Sequence, residues 1–412
     1  MTVRAAAAEP VLLAASTGGA GVPLREIALV VLIAAATTYL TTGIVRWIVV
    51  RMGVLDDPRA RDVHTIPKPR LGGVAMFTGF LAAWLMAQLL PALTRGFPPV
   101  TPDMLAVLVA SFIIVGVGIL DDIFDLDAIT KLVGQIVAAL VMSMMGLSGY
   151  LFYIPFIGGG TTVVLDPVLS TILTVLLTVT LINAINFVDG LDGLAASLGL
   201  IAALAILLYS LTVLHDQGGA VSAYPPAMIS AALVGMCLGF LPHNFEPARI
   251  FMGDSGAMLI GLLLSAASVS ASGRLSLAMY GTADVVALIS PFIIVAAAVS
   301  VPVLDLLLAI VRRTSKGLSP FSADKMHLHH RLLDMGHSHR RVVLVLCTWV
   351  SVVAFAAVGT TMFPAKFVVV GFGLGIIGAT LFTFLPGWRQ MRNQTPKHPS
   401  SGRPVQPSPT GE

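Results

Sequence analysis

The feature that most constrains this chain is a series of apolar segments, each about 20 residues long. A helix of that length spans a hydrocarbon core roughly 30 Å thick, and it satisfies its own backbone hydrogen bonds in lipid. Only 11% of the 412 residues are charged, whereas soluble domains carry roughly 25%. We therefore predict an all-α, polytopic integral membrane protein with eleven spans. The segments lie at about 27–49, 71–93, 104–120, 131–149, 167–187, 193–214, 225–241, 255–271, 285–311, 342–359 and 366–386.

The distribution of Lys and Arg predicts the orientation of these spans. With the N-terminus outside, the cytoplasmic loops and tail carry 17 Lys and Arg residues and the outer loops carry five. Positive charge favours the cytoplasmic side, so we predict an N-out, C-in topology. Residues 1–26 are then an extracytoplasmic tail and 27–386 the membrane domain. Residues 387–412, rich in Pro, Ser and Gly, are expected to be a disordered cytoplasmic tail.

Acidic residues are scarce, and several cluster at segment ends on the predicted cytoplasmic side. Carboxylates at a membrane edge repel one another unless a cation lies among them, and hard oxygen ligands favour Mg²⁺ or Mn²⁺. Such a set of carboxylates is suited to phosphoryl transfer when Arg, Lys and His side chains nearby neutralise the remaining phosphate oxygens. The groups are Asp121, Asp122, Asp189, Asp192 and Asp254, together with His327, His329 and His330 in the loop before the tenth segment.

These groups also have simpler interpretations. Asp121-Asp122 could be a solvated helix end, and the His-rich loop could be a plain basic loop or an adventitious metal binder. The tract from Asn183 to Gly193 is harder to explain without a function, because polar groups at the end of an apolar helix are costly. Asp254 opens the eighth segment, where helix amide groups favour anions. Asp305, deep in the ninth segment, fits either a proton relay or a structural contact.

Four motifs follow one another along the chain, namely Asp121-Asp122-Ile-Phe-Asp125, Asn183 to Gly193, Phe251-Met-Gly-Asp254 and His327-Leu-His329-His330. Together they resemble the polyprenyl-phosphate N-acetylhexosamine-1-phosphate transferases. The resemblance covers about 27–386 and implies transfer of a sugar 1-phosphate from a UDP-sugar to a polyprenyl phosphate. It also implies release of UMP, a requirement for Mg²⁺ and a place in the bacterial plasma membrane. The stretch from His64 to Gly73 matches the family's first cytoplasmic loop.

The resemblance implies a role for each site residue. Asp254 ligates Mg²⁺, or Mn²⁺, with help from Asn186, and Lys131 contacts the sugar-nucleotide phosphates. Asp121 and Asp122 lie at the lipid-phosphate end. The remaining catalytic and substrate-binding residues are Asp189 and Asn183 in the second motif, Asp192 and Phe251 beside the uracil, His327, His329, His330 and Arg331 on the sugar and phosphate side, and His64 and Arg70 in the first loop.

Two features favour the UDP-N-acetylglucosamine (UDP-GlcNAc) branch. Relatives that move phospho-MurNAc-pentapeptide usually have Lys at the position of Asp125, and three adjacent histidines where this chain has His-Leu-His-His. Lys68 departs from the expected Thr. We expect UDP-GlcNAc, an undecaprenyl or decaprenyl phosphate and the membrane as partners, no nucleic acid, and a homodimer as a further possibility. The alternatives are the phospho-MurNAc-pentapeptide transferase and a nucleotide-sugar or organic-anion transporter, whose site would lie nearer the bilayer midplane.

Overall fold

The computed structural model describes residues 22–53, 55–56, 68–149, 151–154, 161–216, 218–219, 221–272, 289–297, 300, 314–315, 332 and 337–393. A short helical stretch covers residues 289–297 and is given no label of its own. The other helices are α1 (Leu24–Met52), α2 (Gly72–Leu89), α3 (Asp103–Phe124), α4 (Ala128–Met144), α5 (Pro167–Val188), α6 (Leu194–Asp216), α7 (Tyr224–Asn244), α8 (Gly253–Ser272), α9 (His339–Met362) and α10 (Ala365–Asn393).

The described helices confirm the prediction of an all-α polytopic membrane protein. Nine of them are long and apolar enough to cross a membrane, and α4, with 17 residues, is apolar but shorter. Ten of the eleven predicted segments coincide with a helix. The ninth, 285–311, lies largely outside the described residues. The total of eleven spans and the N-out orientation therefore stay predictions.

Most element boundaries differ from the prediction by a few residues, and two of these differences are informative. Helix α4 begins at Ala128 rather than near residue 131, because the Asp127 carboxylate accepts the N–H groups of Ile129 and Thr130, both at 3.1 Å. Helix α10 continues to Asn393, beyond residue 386, where the eleventh predicted segment ends. The Pro-Gly pair at 386–387 does not end this helix, and the residues that follow favour helix.

Two short antiparallel ladders were not predicted. Strand β1 (Leu55–Asp56) pairs with β2 (Lys68–Pro69), and β3 (Leu151–Ile154) pairs with β4 (Thr161–Val164). The second ladder joins α4 to α5, and its β-branched and aromatic residues are typical of strands. The first ladder precedes α2 and fixes where the segment around Lys68 meets the helical bundle.

Helix α8 lies at the centre of the bundle and is almost entirely buried. Its first turn packs against α2 and α3 at glycines, which permit the helix backbones to approach closely. A Cβ atom at Gly73 would overlap Gly256 and Ser255, and one at Gly118 would overlap the backbone of Ser255. The start of α8 is therefore held between two neighbouring helices, and with it the side chain of Asp254.

Candidate active site

Asp254, in the first turn of α8, is the residue on which the site converges. The Nδ2 group of Asn186, near the end of α5, donates to Asp254 Oδ1 at 2.5 Å. The Lys131 ammonium group, in the first turn of α4, lies 2.8 Å from Asp254 Oδ2 and also forms an ion pair with Asp121 of α3. Four helices thus bring one amide, one cation and two carboxylates together at one end of the bundle.

Asp122 follows Asp121 in the chain but has a different environment. Its Oδ1 accepts the Asp254 N–H at 2.8 Å, and its Oδ2 accepts the Ser255 N–H at 3.2 Å and the Ser255 hydroxyl at 2.8 Å. The first N–H groups of a helix have no partner within the helix, so Asp122 caps α8 from a neighbouring helix. Gly253 is required here, because its φ is +70° and a Cβ would overlap the Asp122 carboxylate.

Backbone hydrogen bonds join the segment before α2 to the segment before α8. The Phe251 N–H donates to the Pro69 carbonyl at 2.9 Å and the Gly72 N–H to the Phe251 carbonyl at 3.0 Å. The Gly73 N–H donates to the Met252 carbonyl at 2.8 Å. The first predicted cytoplasmic loop and the Phe251-to-Asp254 motif therefore form one unit, although about 180 residues separate them.

This unit brings Lys68 to Asp192 and Phe251. The Lys68 Nζ atom lies 3.0 Å from Asp192 Oδ2 and 4.9 Å from the centroid of the Phe251 ring. The same Asp192 oxygen accepts the Ala248 N–H at 2.8 Å. An ammonium group, a carboxylate and an aromatic ring, each partly open to water, form a polar and aromatic surface beside the Asp254 cluster.

Asp189, directly after α5, lies close enough to the carboxylates of Asp122 and Asp192 to interact with both. Desolvation raises the pKa of Asp189 well above its ordinary range, and the carboxylates of Asp122 and Asp192 raise it further. Arg70 opposes this effect, since its charge interacts favourably with both Asp122 and Asp189. The carboxylates of Asp122, Asp189 and Asp192 are therefore close enough to affect one another's ionisation, and a bound cation would favour their charged forms.

The described donor atoms suit a magnesium ion. Asp254 and Asn186 offer oxygen ligands only, with Asp121 close by, and Mg²⁺ needs only one or two carboxylates besides substrate phosphates. Within the described part of the chain, no group of three or more His, Cys, Asp or Glu residues forms a complete metal site. The protein ligands thus fit a cation that is shared with a phosphate-bearing substrate.

Not every predicted site residue joins the cluster. The Asn183 amide donates to Gln135 Oε1 at 2.6 Å and to the Val179 carbonyl at 2.8 Å, so it is committed to α4 and to its own helix. Asp125 ends α3 with a φ of +52° and is exposed. The remaining predicted residues, His64, Asp305, His327, His329, His330 and Arg331, lie outside the described residues.

Three contacts that build the site were not predicted from the sequence. The Asp122 cap, the Lys68–Asp192 ion pair and the Gln135–Asn183 pair all join residues at least 48 positions apart. One signal was present, because Lys68 departs from the residue expected in that loop. The structure shows that this lysine pairs with Asp192.

Comparisons with known proteins show the family to which the chain belongs. The profile of the family described as "Glycosyl transferase family 4" matches residues 104–272. The chain is 57% identical over 376 residues, 91% of its length and 92% of the relative's, to the "Decaprenyl-phosphate N-acetylglucosaminephosphotransferase" of Mycobacterium tuberculosis. It is 34% identical over 311 residues, 75% of its length and 78% of the relative's, to the "Probable undecaprenyl-phosphate N-acetylglucosaminyl 1-phosphate transferase" of Bacillus subtilis.

A similar protein from Yersinia pestis, named "Undecaprenyl-phosphate alpha-N-acetylglucosaminyl 1-phosphate transferase", is 29% identical over 84% of this chain and 82% of its own. The chain belongs to the polyprenyl-phosphate N-acetylhexosamine-1-phosphate transferases of glycosyl transferase family 4. The family predicted from the four motifs is therefore confirmed.

Proposed function

We propose that the protein transfers GlcNAc-1-phosphate from UDP-GlcNAc to a polyprenyl phosphate, giving polyprenyl-pyrophosphoryl-GlcNAc and UMP. The observation that carries this proposal is the convergence of Asp121, Lys131, Asn186 and Asp254 at one end of four apolar helices. A site at that end can meet a water-soluble nucleotide and a lipid phosphate held at the bilayer surface. The relatives at 57% identity are named for decaprenyl phosphate, which makes it the first acceptor to test.

The chemistry requires charge neutralisation more than a strong base. The lipid phosphate is already largely ionised near pH 7, because its second pKa is about 6. One of its oxygens attacks the sugar-bearing phosphorus, a new P–O bond forms, and the P–O bond to UMP breaks. The Lys131 ammonium group can contact the diphosphate, while Asp254 and Asn186 would hold Mg²⁺, or Mn²⁺ in its place. The bound cation would supply neutralisation of the developing charge on the phosphate oxygens.

The Lys68, Asp192 and Phe251 surface is the proposed uracil subsite. A ring can stack on Phe251, and the adjacent ammonium and carboxylate groups offer one hydrogen-bond donor and one acceptor to a base edge. His327, His329, His330 and Arg331 are proposed to line the sugar and phosphate side. A route through a covalent aspartyl intermediate is the alternative to direct attack.

We further propose that the site faces the cytoplasm of a bacterial plasma membrane, with the N-terminus outside. Single cysteines at Ser315 and Ser276, in a background lacking Cys237 and Cys347, test this in intact cells with an impermeant maleimide. We expect labelling at residue 276 and none at 315. The reverse pattern would place the site on the wrong side for a cytosolic nucleotide.

The reaction is tested with the purified full chain, Mg²⁺, decaprenyl phosphate and a panel of UDP-sugars, with UMP release as the readout. We expect UDP-GlcNAc to be the best donor. A preference for UDP-MurNAc-pentapeptide would reassign the donor within the family. Uptake of UDP-GlcNAc into proteoliposomes without UMP formation would support a transporter and contradict the proposal.

A further inference from the structure

The position of Lys131 between two carboxylates has a consequence for metal binding. Lys131 contacts Asp121 and lies 2.8 Å from Asp254 Oδ2. The Asp121 side chain is 2% exposed, whereas those of Lys131 and Asp254 are 26% and 28% exposed. The lysine thus reaches the carboxylates from the open side of the site, and its stem is anchored on α4, which Asp127 caps.

A divalent cation that binds Asp254 from this side must either replace the ammonium group or lie next to it. Two positive charges a few ångströms apart repel strongly at the effective dielectric constant of a protein surface. Lys131 therefore opposes metal binding in the nucleotide-free protein, although the same carboxylates favour it.

A nucleotide diphosphate changes this balance. Its oxygens ligate a divalent cation together with one or two carboxylates, and they also accept hydrogen bonds from a lysine, which carries three donors. Lys131 can then leave Asp254 for the diphosphate without losing an anionic partner. Metal and nucleotide would each strengthen the binding of the other, since coupling between two sites is reciprocal.

We propose that Lys131 couples divalent-cation binding to nucleotide binding by occupying the space between Asp121 and Asp254 until a diphosphate draws it away. The inference rests on the proposed function, because it assumes a substrate with a diphosphate. It goes beyond that function in assigning Lys131 a role before the reaction begins, as a competitor of the metal.

The first test uses the unmodified full chain and Mn²⁺ binding followed by electron paramagnetic resonance. We expect Mn²⁺ to bind at least about tenfold more tightly with saturating UDP than without it, a difference of about 1.4 kcal/mol. Equal Mn²⁺ affinity in the two conditions, after correction for Mn²⁺ held by free UDP, would overturn the inference.

The second test uses Lys131→Met, which keeps the stem and removes the charge. Without UDP, this variant should bind Mn²⁺ at least about tenfold more tightly than the unmodified protein, and the gain produced by UDP should shrink. Lys366→Met is the matched control, because it removes one lysine charge at the start of α10, outside the site. Its Mn²⁺ affinity without UDP should stay within about twofold of the unmodified protein.

Unchanged or weaker Mn²⁺ binding in Lys131→Met contradicts the inference. If that variant does not purify as a folded protein, Lys131→Gln and the test on the unmodified chain decide the question. Failure of the proposed function has a different signature, namely no UMP release by the unmodified protein with any UDP-sugar. UMP release together with unchanged Mn²⁺ binding in the variant rejects the inference alone.

Discussion

Helices α3 and α8 pack antiparallel, and each end of this pair holds a buried carboxylate. At one end, Asp122, which is 9% exposed, accepts hydrogen bonds from the first turn of α8. At the other end, Asp103, which is 0% exposed, accepts the hydroxyl of Ser270 at 2.9 Å. A buried acidic group on an apolar helix is therefore present at both ends of the same helix pair.

The two ends differ in what surrounds the carboxylate. Beside Asp122, charged and amide groups arrive from other helices, with Lys131 on α4 and Asn186 on α5 meeting Asp254. Beside Asp103, Ser270 borders a small cavity lined by Tyr209 and Ser210. A buried carboxylate alone thus indicates little about function. Convergence of oppositely charged groups from several elements is the informative feature.

Removal of divalent cations should have the largest effect at the Asp254 end. We expect EDTA to lower UMP release by more than about 10³-fold, because a cation on transferring phosphates supplies several kcal/mol. Mg²⁺ added in excess should restore the rate. Full activity in EDTA would mean that the carboxylates serve another purpose.

Two asparagines on α5 offer a sharper test of which groups belong to the site. Asn186→Ala should lower kcat by about 10- to 100-fold, as expected for one lost contact to Asp254, the proposed metal ligand. Asn183→Ala should lower kcat by less than about threefold and reduce stability by about 1 kcal/mol, because it removes the hydrogen bond to Gln135. A larger loss of kcat at Asn183 would show that its amide acts on the substrate.

The distinction between Asp121 and Asp122 illustrates the limit of the sequence. The sequence was sufficient to predict the apolar helices and the family. It also predicted that the carboxylates lie at one end of the helical bundle. Successive residues on a helix point about 100° apart, so Asp121 faces Lys131 while Asp122 faces the first turn of α8. That assignment depends on how α3 packs on α8, which no local pattern encodes. The Lys68–Asp192 pair likewise depends on a contact between distant parts of the chain. The extension of α10 to Asn393 depends on a Pro-Gly pair that does not end the helix.

The capping role of Asp122 predicts a particular pattern of substitutions. Asp122→Asn keeps one acceptor oxygen for the first turn of α8 but replaces the other with an NH2 group, which cannot accept, so we expect it to lower kcat by less than about tenfold. Asp122→Ala leaves the amide groups of Asp254 and Ser255 without acceptors and should lose more activity, together with about 1 kcal/mol of stability. Equal and severe losses in both variants would indicate that the charge of Asp122 acts on the substrate.

The smallest effect is expected at the opposite end of the helix pair. Asp103→Asn keeps an acceptor for Ser270 and lies a full helix length from Asp254, so UMP release should stay within about twofold of the unmodified rate. Thermal unfolding of the same sample shows whether the protein is intact. A loss of kcat with an unchanged melting temperature would show that Asp103 affects catalysis from the opposite end of the helix pair.

A head-to-head comparison of Asp254→Asn with Asp103→Asn tests the central claim most directly. Each variant neutralises one carboxylate on the α3–α8 pair, at opposite ends, and UMP release is measured at saturating Mg²⁺ and matched protein concentration. We predict that Asp254→Asn lowers kcat by at least about 10²-fold, or about 3 kcal/mol of transition-state stabilisation, while Asp103→Asn stays near the unmodified rate. Near-normal turnover in Asp254→Asn, or a larger loss in Asp103→Asn, would contradict the account.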